Sequence, residues 1–347
     1  MPCPKRKLKG NNVMEAIRFN QAAFILDTSQ PKIAAIPRVE APNFYEDAAV
    51  FMDTIISLVL YGGRAKEASE AVFAVFKRIE KLCSRFDPTS EVSEVSQAAG
   101  YEPVPISKEL FQLLTMGKDL SALFEGNFDI TIGPVSSLWQ VGYKTGRRPA
   151  AAQLQEARAL VDYRKLHLAS GAAFLSEKGM MLDLGGLAKE YALYEACRIL
   201  PDFGVTAGLI NAGGDICTSG VKPDQSQWRV GIEHPRRPGE LIAEVTLDQW
   251  DTVETSGDYR RFFVEAGSCY SHIFDPTTGL QPGGLASVSL IYRQADQKLK
   301  LPSCAFLALG IEKSLVFLEN FPGVEAFFIT QEGKTVATDG LIPHMDF

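Results

Sequence analysis

No apolar run in this 347-residue chain approaches the ~18 residues a membrane-spanning helix needs, so no transmembrane helix is expected. The six cysteines, Cys3, Cys83, Cys197, Cys217, Cys269 and Cys304, form no C-x-x-C pair and show no zinc spacing. That excludes a zinc module, and reduced thiols are expected rather than a disulfide framework. Cys83 and Cys197 fall on apolar faces of predicted helices and read as small buried hydrophobes. Internal repeats and low-complexity segments are missing. So is an excess of positive charge: the net of −7 argues against a nucleic-acid surface.

What is present is an ordinary globular composition, 46% hydrophobic and 22% charged, with length enough for a real core. The charge is uneven. Residues 1–38 carry seven Lys and Arg against Glu15 and Asp27, a net of +5, which leaves −12 for the rest. Pro31, Pro37 and Pro42 mark residues 1–43 as an irregular N-terminal arm, and its basic start reads as a solvated extension. Behind Lys5, Arg6, Lys7 and Lys9, residues Glu15, Arg18, Asn20 and Gln21 interrupt what would be a signal h-region. The expected location is therefore cytoplasmic, with one domain spanning 44–347.

Along that domain a strand is expected over Thr54–Tyr61, ended by Gly62-Gly63. Ala68, Val72, Phe76, Ile79 and Cys83 then keep helical spacing. Ser107 is a plausible N-cap for a second helix bearing Leu110, Leu114 and Leu120, with Gly126 past its end. Residues 144–153 read as a loop, and Leu182–Leu184 as a strand running into a helix from about Leu187 to Leu200. Strands are expected near 207–211, 228–232, 241–247 and 286–292, a helical pair over 303–320, and strands near 324–330 and 334–337. Short turns between sequential strands predict an α+β fold, mostly antiparallel sheet with helices packed on it.

Five polar segments carry possible chemistry. Tyr270–Gly279 gathers His272, Asp275, Thr277 and Thr278 before a turn glycine, and Thr255–Tyr259 adds hydroxyls and an acid. A base, acids and hydroxyls on glycine-broken turns suit hydroxyl activation or phosphate handling; the alternative is a pair of polar turns capping strands. Asp183–Tyr191 sets Gly185-Gly186 between a short strand and a helix whose first turn carries Lys189. Backbone N–H groups there can approach an anion, although this is neither a G-x-G-x-x-G nor a P-loop. Leu209–Asp215 repeats the device with Gly213-Gly214, as an N–H nest or a plain hairpin turn. Gly126–Pro134, running on to Trp139, offers an aromatic ring for stacking or for a core.

In this order the segments resemble the ApbE-type flavin transferases, the family once called thiamine biosynthesis lipoproteins. The resemblance covers roughly residues 50–310, from Met52-Asp53-Thr54 through Ser84-Arg85-Phe86-Asp87-Pro88, Phe128–Trp139, Asp183–Tyr191 and Asn211–Asp215 to Thr255–Tyr259 and His272–Gly279. It implies a two-lobed α+β core with the active site in the cleft. It also implies FAD as substrate, AMP as leaving group, Mg2+ as helper, and a Ser or Thr hydroxyl of a target flavoprotein as acceptor. By the same resemblance His272 is the candidate base, with Asp275 orienting it or acting in its place. Gly185, Gly186 and Lys189 would face the diphosphate, Asp215 and Thr255 would line the pocket, and Met52 and Trp139 would border a ring of the flavin or adenine.

The chain also departs from the family's pattern. Asp53 and Glu190 stand where glycines are usual, Ser96 near a customary Asn and Tyr194 at a frequent Asp. Lys300 and Cys304 fall where the metal-binding Asp and Thr are expected, which leaves the Gly186 carbonyl, with FAD oxygens, to hold Mg2+. Asp296 lies one helical turn before Lys300, but Pro302 would start the helix after it. The altered metal positions keep two other readings open, an FAD-binding protein without transfer and an FAD pyrophosphatase.

Overall fold

Alternation decides the first two strands. In Thr54–Tyr61 (β2) the side chains of Ile56, Leu58 and Leu60 are buried and their neighbours are not, the period of a half-buried strand. It pairs antiparallel with Phe44–Phe51 (β1), Phe51 opposite Thr54, so Met52 and Asp53 alone make the turn. Both hold left-handed backbone, φ 52° and 57°, which matches the twist of a two-residue hairpin. The computed structural model describes residues 44–141, 146–247, 251–292 and 300–346; the expected arm over 1–43 and Asp296 lie outside these.

The remaining strands are Val104–Pro105 (β3), Leu166–Ala169 (β4), Ala172–Leu175 (β5), Ala207–Ala212 (β6), Asp215–Gly220 (β7), Trp228–Glu233 (β8), Leu241–Leu247 (β9) and Thr252–Gly257 (β10). They continue with Phe262–Glu265 (β11), Ser268–Ser271 (β12), Leu285–Tyr292 (β13), Val324–Thr330 (β14), Thr335–Ala337 (β15) and Met345–Asp346 (β16). The main sheet runs β1-β2-β6-β7-β10-β13-β14-β15, antiparallel throughout, and small sheets order as β3-β5-β4, β16-β9-β8 and β11-β12. The fold is α+β, as the short turns implied.

The helices are Ala65–Cys83 (α1), Glu91–Gln97 (α2), Lys108–Leu123 (α3), Gly133–Trp139 (α4), Ala151–Ala159 (α5), Ala188–Arg198 (α6), Ser303–Leu309 (α7) and Ile311–Leu318 (α8). On one face of the main sheet, Val72 and Phe76 of α1 and Leu193 of α6 join Ile56, Leu58 and Ile210 in the largest core cluster. On the other face Ile216, Val253 and Ile291 meet Val230, Val245 and Leu247 of the β8–β9 pair. Each apolar face is thus covered by another layer. A separate small core gathers Val135, Trp139 and Ala157 under Phe263, Tyr270 and Phe274.

Ser107 caps α3 as its sequence suggests, accepting from Leu110 N–H at 3.2 Å. Two local readings differ. Leu182–Leu184 is not a strand: Met181 makes a single parallel bridge to Ile132, and the chain runs straight into the glycine turn. The polar stretch 144–153 already enters α5 at Ala151.

Candidate active site

Asp183 organises the first glycine turn. Its Oδ1 accepts from Gly185 N–H at 2.9 Å, and its Oδ2 takes Ser136 Oγ at 2.6 Å and Arg85 Nε at 2.9 Å. Three donors on one carboxylate fix the entry to α6, at whose start Gly185, Gly186 and Lys189 face a cleft of about 1810 Å³. A Cβ on Gly186 would stand 3.0 Å from Cys304 Sγ and 3.2 Å from a Phe128 ring carbon. A side chain there would have to displace one of these two neighbours by a few tenths of an ångström, so the close approach favours glycine.

The second glycine turn is the β6–β7 hairpin. Gly213 and Gly214 hold φ of 65° and 106°, and Gly214 N–H donates to Asn211 Oδ1 at 2.8 Å. Just after it Asp215, 2% exposed, accepts Thr255 N–H at 2.8 Å and forms an ion pair with Lys189. Lys189 also lies 3.4 Å from Glu190 Oε1. Thr255 Oγ1 shares a 2.8 Å hydrogen bond with Ser289 Oγ. Lys189 and Thr255 line the cleft, whereas Asp215 lies beneath them as a support.

His272 follows β12 and lines the same cleft. Its Nδ1 stands 3.3 Å from the Arg261 carbonyl oxygen. Protein atoms packed around the ring, and then the Arg261 guanidinium, push its pKa down to about 4. The imidazole is therefore neutral near pH 7 and ready to take a proton. Asp275 is spent on its own turn instead. Its Oδ1 accepts Thr277 N–H at 2.8 Å and Thr277 Oγ1 at 2.7 Å, and its Oδ2 accepts Thr278 Oγ1 at 3.1 Å. The group beside His272 Nδ1 is thus a backbone carbonyl, not Asp275.

The expected ring-bordering residues divide. Met52 lines the cleft, its N–H bonded to Glu80 Oε1 at 2.7 Å. Trp139 does not: it is 0% exposed, donates from Nε1 to the Gly279 carbonyl at 2.9 Å, and lies against Tyr270 and Phe274. This corrects its expected place at the ligand. Trp139 acts as the prop under the His272 loop, because its N–H finds a partner in the core.

Behind the glycine turn lie residues that sequence reasoning placed differently or missed. Lys300, at the position expected for the metal-binding Asp, is 8% exposed and is absent from the lining of the main cleft; its Nζ donates to Thr252 Oγ1 at 3.3 Å. Glu254, missed because β10 was not foreseen as a strand, is buried beside it. Burial, reinforced by Glu190, pushes the Glu254 carboxyl up to about 8. Arg85 and Ser136 were not foreseen as partners of Asp183. Arg85 stood within a segment that carried the family resemblance, but nothing in the sequence pairs it with Asp183.

An antiparallel α+β protein with two glycine turns, a paired lysine and a neutral imidazole around one cleft is built to hold an anion beside a base. Residues 52–328 match the ApbE family model. The chain is 32% identical over 291 residues to an FAD:protein FMN transferase of Klebsiella pneumoniae (strain 342), covering 83% of this chain and 89% of that one. It is 30% identical over 318 residues to an FAD:protein FMN transferase of Treponema pallidum (strain Nichols), covering 86% and 88%. Among solved structures it superposes on the ApbE protein of Thermotoga maritima MSB8 with a TM-score of 0.80 at 27% identity, covering 87% of this chain and 99% of that chain. The apo flavinyl transferase ApbE of Pseudomonas stutzeri gives 0.76 at 28%, covering 89% and 98%. This chain belongs to the ApbE family.

Proposed function

We propose that the chain transfers FMN from FAD onto a Ser or Thr hydroxyl of a target flavoprotein and releases AMP. The observation that carries this reading is the His272 imidazole, kept neutral on the same cleft as Lys189 and the Gly185-Gly186 turn. In the step, the acceptor oxygen forms a bond to the FMN phosphorus while the pyrophosphate P–O bond breaks toward AMP. The acceptor proton goes to His272. Lys189 and the backbone N–H groups at the start of α6 offset charge on the diphosphate. His272 is the base in this reading and Asp275 holds its turn; Thr255 and Met52 face the bound cofactor, and Asp215 keeps Lys189 in place.

Mg2+, which the family resemblance implies, does not fit the residues present. Magnesium prefers hard oxygen ligands, and the two expected positions offer an ammonium and a thiol. Burial, then Glu190, push the Cys304 thiol up to about 12, so it stays protonated. Among the described residues no three His, Cys, Asp or Glu side chains gather where they could hold a metal ion. Of the expected ligands only the Gly186 carbonyl offers oxygen.

Among the described residues no helix is long and apolar enough to cross a membrane. Our proposal of a cytoplasmic setting is supported by the described cysteines, Cys83, Cys197, Cys217, Cys269 and Cys304, all free thiols with Cys269 exposed. The function is tested by incubating the protein with FAD and an acceptor carrying an exposed Thr, then viewing flavin fluorescence on a denaturing gel. Fluorescence on the acceptor with AMP released supports transfer; FMN and AMP appearing free in solution contradicts it.

A further inference from the structure

Two carboxylate oxygens and an ammonium are shut in beneath the floor of the cleft. Glu190 Oε2 and Glu254 Oε2 are each buried without a hydrogen-bond partner. Glu254 is 1% exposed, and Lys300 is held beside it by Thr252 Oγ1 and by the Tyr292 ring, whose centre lies 4.1 Å from Nζ. The Tyr292 hydroxyl donates to the Leu301 carbonyl at 2.7 Å and accepts from the Leu301 N–H at 2.9 Å, so the chain next to the lysine cannot swing away. Gly186, Glu190, Glu254 and Lys300 border a cavity of about 20 Å³, space for a single water at most. Gly186 and Glu190 also border the main cleft, so the cluster lies one residue layer behind the glycine turn.

We infer that Lys300 is a built-in cation that replaces a divalent ion at this turn, so that the cleft takes FAD without one. The inference rests on the FAD reading above. An uncompensated buried carboxylate is expensive, and two side by side more so. Lys300 supplies the offsetting charge through a side chain held against an aromatic ring and a hydroxyl. A divalent ion entering from the cleft would meet that ammonium and the Cys304 sulfur at the positions where it needs hard oxygen ligands.

The test is FAD binding to the full chain by calorimetry, in EDTA and then in excess Mg2+, with Mn2+ uptake by the protein–FAD complex followed by electron paramagnetic resonance. The expected result is an FAD affinity that agrees within about twofold between the two buffers, with no Mn2+ taken up at this site. Lys300→Met is expected to weaken FAD binding in EDTA about tenfold while far-UV circular dichroism stays unchanged. If that variant fails to fold, the wild-type comparison still decides. FAD binding that drops tenfold or more in EDTA and returns with Mg2+, or Mn2+ bound stoichiometrically, overturns the inference while leaving the FAD reading intact. No FAD binding in either buffer removes the FAD reading itself, and the inference with it.

Discussion

Lys189 and Asp215 form an ion pair whose two halves come from the two different glycine turns, one at the start of α6 and the other at the start of β7. Asp215 is almost fully buried and already accepts the Thr255 N–H, so the pair ties helix, hairpin and β10 to one point under the cleft. Lys189, which also lines the cleft, is thereby held in one place at its wall.

Removing the buried partner is the costly change. Asp215→Ala leaves Lys189 uncompensated and the Thr255 N–H unbonded, and is expected to destabilise the fold by about 3 kcal/mol in urea unfolding. A loss below about 1 kcal/mol would show that the pair is no more than an exposed one.

His272→Ala is expected to lower the transfer rate by about 10²–10⁴, with FAD affinity unchanged within a few-fold. Transfer at the normal rate would make His272 structural. In that case Asp275 would be left as the candidate base, in spite of its three turn hydrogen bonds.

The lowered pKa of His272 fixes the direction of two pH effects. Its folded value of about 4 lies below the 6.5 of an unperturbed histidine, so the folded state favours the neutral ring. The stability tied to this is fully present above pH 6.5 and is lost as pH falls from there to about 4. Transfer follows the same sign: its acid limb should fall near pH 4, not near 6.5. A pH–rate profile of kcat/KM with its acid midpoint at 6.5 would count against His272 as the base.

Trp139→Phe removes the hydrogen bond to the Gly279 carbonyl and keeps most of the ring packing. A loss of stability of about 1–3 kcal/mol is expected, with kcat reduced through a looser His272 loop and FAD affinity held within a few-fold. A large loss of FAD affinity would put Trp139 at the ligand after all.

Much of the fold was open to sequence reading because local patterns carry it. Alternation in Thr54–Tyr61, the 3.6-residue period of α1 and the Ser107 cap each depend on residues close in the chain. Where the signal was short the reading failed. β10 was not foreseen, because a strand between two others buries polar residues such as Thr252 and Glu254 that give no clean alternation.

The site divides along the same line. The sequence by itself determined the motifs: two Gly-Gly turns, a first-turn lysine, a histidine on a polar loop, and a lysine and a cysteine where oxygen ligands were expected. A motif is a local property, and each was legible without knowing what lies across from it. Only the tertiary structure decided the partners. It paired Lys189 with Asp215, aimed Arg85 and Ser136 at Asp183, gave His272 a backbone carbonyl in place of Asp275, sank Trp139 into a core, and closed Lys300 in with Glu254. The physical reason is distance along the chain: these partners lie from 11 to 140 residues apart, and burial, which sets their charge states, exists only once the layers have packed.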